Sequence, residues 1–104
     1  MNVQINTDHN IKGTEKLQAF VSDKINTTLK HFTDRITRIE VHLSDENATK
    51  GGPDDIQCKI EARLKGLQPM VVTSKNSSKE KALSMAVDKM KGALDSAIGK
   101  LKAH

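Results

Sequence analysis

Ile56-Gln57-Cys58-Lys59-Ile60-Glu61-Ala62-Arg63-Leu64-Lys65 alternates apolar and polar side chains without a break, and the fold turns on this stretch. Successive side chains of a strand point to opposite faces, so the segment reads as a β-strand that lays Ile56, Cys58, Ile60, Ala62 and Leu64 on a core. Upstream, Ile39, Val41 and Leu43 alternate with Arg38, Glu40, His42 and Ser44, which predicts another strand starting near Ile36. Between the two lies Asp45 to Asp55, aperiodic, acidic and containing Gly51-Gly52-Pro53. That composition predicts a long, mobile hairpin loop and a poor phosphate contact. Downstream, the turn Lys65-Gly66-Leu67-Gln68-Pro69 leads into a strand from Met70 to Lys75.

Working outward, Val3 and Ile5 alternate with polar neighbours and suggest a short first strand. Gly13-Thr14 opens a helix expected from about 14 to 32, with Leu17, Phe20, Val21, Ile25, Leu29 and Phe32 forming its apolar stripe. Thr14 is the expected N-cap, and Glu15 suits the positive helix end. Toward the C-terminus, Ser77-Ser78-Lys79-Glu80 fits a capping box with Ser77 as N-cap and Glu80 three residues on. Leu83, Ala86, Val87, Met90, Leu94, Ala97, Ile98 and Leu101 then hold one face of a long helix. The order β-α-β-β-β-α predicts an α+β fold, a four-stranded sheet with both helices packed on one face. A right-handed first crossover should make its two strands parallel. At this length one domain over residues 1–104 is expected, with no need of disulfides or a structural metal.

Several function classes fall away on composition. The lone Cys58 has no partner for a bridge, zinc or redox motif, and its place on the apolar side predicts a buried, inert thiol. The N-terminus lacks the charged start and apolar run of a signal peptide, and nothing approaches the roughly 18 apolar residues of a membrane span. A cytoplasmic setting is expected, so Asn26, Asn47 and Asn76 read as chance glycosylation matches. His9, His31, His42 and His104 are scattered and accompany no HExxH, CxxC, Gly-rich phosphate loop or Ser-His-Asp pattern. The expectation is no catalysis, no cofactor, no metal and no small-molecule substrate. With two Phe, no Trp and no Tyr, the chain lacks rings for a multi-base stacking platform, so any RNA binding should run mainly through phosphates and shape.

Charge supplies the positive signal. Residues 59–104 carry ten Lys/Arg against four Asp/Glu, while residues 1–58 carry seven against nine. Such clustering can steer a polyanion. On a helical wheel centred on Leu83, Lys89 and Lys100 border the apolar stripe on one side, and Lys91 and Lys102 on the other. Opposite the stripe run Met85, Gly92, Ser96, Gly99 and Ala103, a nearly bare ridge. Each Gly costs a helix about 0.8–1 kcal/mol relative to Ala. Close approach of a nucleic-acid backbone or another helix would account for it; otherwise the glycines are merely tolerated. On the first helix Lys16 and Lys30 share an exposed side diluted by Asp23, while Lys24 sits at the stripe edge and snorkels. Arg35 and Arg38 follow. The candidate RNA-binding set is Lys16, Lys24, Lys30, Arg35, Lys89, Lys91, Lys100 and Lys102, and its case rests on the aggregate, because affinity grows with the phosphates neutralised.

Thr14-Glu15-Lys16-Leu17 leading to Phe20-Val21-Ser22-Asp23-Lys24-Ile25, then Phe32-Thr33-Asp34-Arg35-Ile36, Ala86-Val87-Asp88-Lys89-Met90 and Gly99-Lys100-Leu101-Lys102, in this order, resemble the ribosome hibernation-promoting factor family. The family is also called ribosome-associated inhibitor A or sigma-54 modulation proteins, and the resemblance covers the whole chain. It implies a non-catalytic protein that sits in the small ribosomal subunit, sets basic residues of both helices against ribosomal RNA, and silences ribosomes under stress or in stationary phase. Lys24 and Arg35 match the family's basic positions around the first helix, and Lys89, Lys100 and Lys102 those of the second. The chain's end two residues after Lys102 implies a short form without the C-terminal domain that pairs ribosomes. Gln18, Thr27, Gly92, Ser96 and Ile98 stand where further Arg or Lys is expected, which predicts weaker binding with a shallower salt dependence. The rival reading is a protein-interaction module of the same fold that uses the Gly92/Gly99 ridge or the open sheet face, with weak or no ribosome binding.

Overall fold

The computed structural model describes residues 1–46 and 55–102, the last two as backbone only. Its elements are β1 (Asn2–Thr7), α1 (Glu15–Thr28), a 3-10 turn (Lys30–Phe32), β2 (Ile36–Asp45), β3 (Ile56–Leu64), β4 (Met70–Asn76) and α2 (Lys79–Lys102). The sheet order is β1-β2-β3-β4, with β1 parallel to β2 and the other pairs antiparallel. The α+β architecture expected from the alternation is the one observed.

The period-two pattern becomes rows across the sheet. Val3, Ile39, Ala62 and Met70 form one, Ile5, Val41, Ile60 and Val72 the next, and Thr7, Leu43, Cys58 and Ser74 a third. Both helices cover this face, and their stripes join the strands in one core through Val21, Ile25, Leu83 and Met90. Among the described residues Ser74 is the buried polar exception, and its hydroxyl is satisfied by donating to the Ala82 carbonyl, which ties β4 to the first turns of α2. Ile36 and Ile39 are both buried although three residues apart. A bulge between Ile36 and Arg38 absorbs the odd residue, so both side chains face inward.

The first helix is shorter than its stripe suggested. Thr14 caps it as expected, its Oγ accepting from Leu17 N–H at 3.1 Å. The α-helix ends at Thr28, after Asn26-Thr27-Thr28, three residues of modest helix propensity. The chain then tightens: Phe32 N–H bonds the Leu29 carbonyl at 2.9 Å, which keeps Leu29 and Phe32 in the core. Phe20 leaves the stripe altogether and is 38% exposed on the flank facing α2. The second capping box is also displaced by one residue. Ser78, not Ser77, is the cap; its Oγ accepts from Lys81 N–H at 3.3 Å and its carbonyl from Ala82 N–H at 2.9 Å. β4 runs to Asn76, whose Oδ1 holds Ser78 N–H at 3.1 Å, so the helix cannot begin earlier.

Most of the predicted 45–55 loop lies outside the described residues. Asp45 belongs to β2, and Glu46 N–H meets the Asp55 carbonyl at 2.9 Å where the connection leaves and returns. The readings of Leu101 as a stripe residue, and of Ala103 and His104, also lie outside the described side chains. No helix among the described residues is long and apolar enough to cross a membrane.

Candidate nucleic-acid interface

The two helices lie side by side with their N-termini at the same end. Thr14, Lys16, Leu17 and Phe20 of the α1 end line one cavity with Lys79 and Glu80 of α2. Further along, Lys24 Nζ stands 4.0 Å from Asp88 Oδ1. Beyond α1, His31, Phe32 and Arg35 face Lys91, Asp95, Ile98 and Gly99 across a second cavity of about 360 Å³. The groove between the helices therefore gathers Lys16, Lys24, Arg35 and Lys91 from the predicted set. Lys16, Phe20 and Lys24 are spaced by four, which stacks them on one flank of α1.

Backbone bonds fix the end of the groove. Arg35 N–H bonds the Phe32 carbonyl at 2.9 Å, and the Arg35 carbonyl accepts from Lys65 N–H at 3.0 Å, so the 3-10 turn and the end of β3 together position the guanidinium's base. Lys91 is held differently, by an ion pair to Asp95 one turn on at 3.2 Å. Exposed pairs of this kind are worth only about 0–1 kcal/mol, so a phosphate can displace either carboxylate.

The remaining members of the set scatter. Lys89 reaches the other way, over the sheet edge, and its Nζ donates to the Thr73 carbonyl at 2.8 Å. Lys91 thus faces the groove, whereas Lys89 covers the free edge of β4. Lys30 and Lys100 are exposed, outside the residues lining the groove. Lys102 ends α2, and its side chain lies outside the described residues. Among the described residues Lys16, Lys30, Arg35 and Lys100 form no ion pair.

Sequence reasoning missed Lys79, His31 and Phe20 as groove residues, and the counter-charges Asp88 and Asp95. The four-residue row of Phe20 with Lys16 and Lys24 was readable on a wheel; which flank meets the other helix was not. The opposite face of the sheet carries cations of its own, Arg38, Lys59, Arg63 and Lys75, of which the two arginines are paired. Arg38 pairs with Glu40 at 2.6 Å, His42 with Glu40 at 3.5 Å and Arg63 with Glu61 at 3.8 Å, and Glu40 sits opposite Glu61 in register. Charge cancels around Glu40 and Glu61, while Lys59 and Lys75 on the same face form no ion pair among the described residues. Above Gly92 and Gly99 a Cβ would meet open space, so packing within the chain does not require either glycine. Among the described residues no group of three or more His, Cys, Asp or Glu is placed to hold a metal ion.

A search of curated proteins found no significant match. Among solved structures the chain is similar to the Thermus thermophilus Protein Y N-terminal domain, with a TM-score of 0.74 at 21% identity over 92% of this chain and 98% of that one. It is also similar to a ribosomal subunit interface protein from Coxiella burnetii, with a TM-score of 0.76 at 13% identity over the whole of both chains. At these identities the likeness is one of fold. The family described as Sigma 54 modulation protein / S30EA ribosomal protein matches residues 3–102, nearly the full length, and the chain belongs to that family.

Proposed function

We propose that this chain is a ribosome-associated factor that binds the small ribosomal subunit through ribosomal RNA phosphates and holds ribosomes inactive under stress or in stationary phase. It acts as a single domain, in the cytoplasm, without catalysis. The observation that carries the reading is the convergence of Lys16, Lys24, Arg35 and Lys91 from both helix regions on one groove, in a member of this family. The Coxiella neighbour's description as a ribosomal subunit interface protein supports the same reading. A groove of cations attracts the RNA backbone without reading sequence, as a factor that blocks a fixed site on the ribosome requires.

Cosedimentation tests it. The protein should run with small subunits or intact ribosomes at low salt and leave them as salt rises. Changing Lys24, Arg35 and Lys91 together to Gln should flatten the salt dependence by about one unit of slope per lost contact. Changing Lys89, Lys91, Lys100 and Lys102 to Gln tests the lysine borders of α2 in the same way. Cosedimentation that ignores salt, or that survives both sets of changes, refutes the groove as the RNA surface.

A further inference from the structure

Phe20 is one of two aromatic residues in the chain, and the two are treated oppositely. Phe32 is 7% exposed in the core, whereas Phe20 is 38% exposed in a cavity of about 360 Å³ at the N-terminal end of the groove. The cavity falls in the range of small-ligand sites, roughly 300–1,000 Å³. Lys16 stands one turn before Phe20 on the same flank of α1, and Lys79 and Glu80 close the cavity from α2. An exposed ring in a cavity that two lysines help to line matches a ligand with a flat π face and a phosphate. Glu80, whose carboxylate accepts from the Ser78 hydroxyl at 3.1 Å, disfavours a bare anion and suits a base edge that donates N–H.

We propose that this cavity binds one unpaired nucleotide of an RNA strand, its base stacked on Phe20, its phosphate between Lys16 and Lys79, and its N–H edge toward Glu80. The site is separate from the Arg35/Lys91 cavity at the other end of the groove, and it gives a chain with no multi-ring platform a single stacking contact. The inference rests on the ribosomal reading for the source of that nucleotide.

The test is titration of the full chain with a single-stranded adenosine hexanucleotide, with a duplex RNA of equal length and with AMP, followed by NMR. The single strand should shift the Phe20 ring protons together with the amides of Lys16, Lys79 and Glu80, AMP should shift the same signals at higher concentration, and the duplex, whose bases are paired and stacked, should leave them in place. Stacking on an aromatic ring contributes about 1–3 kcal/mol per base, so Phe20→Leu should weaken binding of the single strand on the order of tenfold without changing its salt slope. Phe20→Trp should restore it. Ring protons that do not move, wild-type affinity in Phe20→Leu, or equal shifts with the duplex overturn the proposal. Ribosome cosedimentation of the same proteins separates the two readings. A wild type that stacks RNA on Phe20 but misses ribosomes defeats the proposed function alone; one that cosediments with an undisturbed Phe20 defeats the nucleotide site alone.

Discussion

Cys58 lies between Leu43 and Ser74 in the middle of the sheet, fully buried, and burial pushes its thiol from 9.0 up to about 12. The thiolate is the reactive form, so native protein at pH 8 should resist alkylation and react fully once denatured, which mass spectrometry can follow. The folded state holds this proton more tightly than the unfolded one. Its contribution to stability is therefore complete below about pH 9 and is lost as pH rises toward 12. The two kinds of apolar residue on α1 separate by the same measure of burial. Ile25 is fully enclosed, so Ile25→Ala should destabilise by about 2–5 kcal/mol in urea unfolding. Phe20→Leu, at an exposed position, should change stability by less than about 1 kcal/mol. Phe20 and Phe32 are identical as letters; the inward row of Leu17, Val21 and Ile25 lies to one side of Phe20, and only the position of α2 turns that flank into a cavity wall.

The elements differ in how much of their geometry is local. Thr14→Ala should lower stability by about 1 kcal/mol, since the Thr14 Oγ satisfies an otherwise orphan N–H of α1. On α2, Gly92 meets no neighbour that a methyl would strike, so Gly92→Ala should raise stability by about 0.8–1 kcal/mol in thermal or urea unfolding. Gly92 is not among the groove-lining residues, and ribosome binding should survive the change; lost binding would move the interface to the ridge. The start of α2 was ambiguous because Ser77 and Ser78 are chemically equivalent caps. The Asn76 side chain, fixed at the end of β4, chose between them. The end of α1 was ambiguous for a related reason, because a 3-10 turn keeps Leu29 and Phe32 on the core face as an α-helix would.

At the scale of the molecule the deciding quantity is how the charges are partnered. Asp88 and Asp95 occupy Lys24 and Lys91 in the free protein, so changing both acids to Asn should tighten ribosome binding severalfold at low salt and steepen the salt dependence by up to about two units of slope. A salt series of cosedimentation measures both; an unchanged slope would place the RNA elsewhere. The alternation from Ile56 to Leu64, the two apolar stripes and the single cysteine settle the strands, the helices, their order and the buried face, because period and polarity are properties of adjacent residues. The charge excess after residue 59 is equally a property of the chain. Tertiary structure alone divided those cations, sending Lys91 to a groove with Arg35, leaving Lys89 over the edge of β4, and exposing Phe20 beside Lys79. A helical wheel fixes the angles between side chains on one helix; the neighbour each flank meets depends on how two helices settle on a shared sheet, and that is set by contacts between residues far apart in sequence.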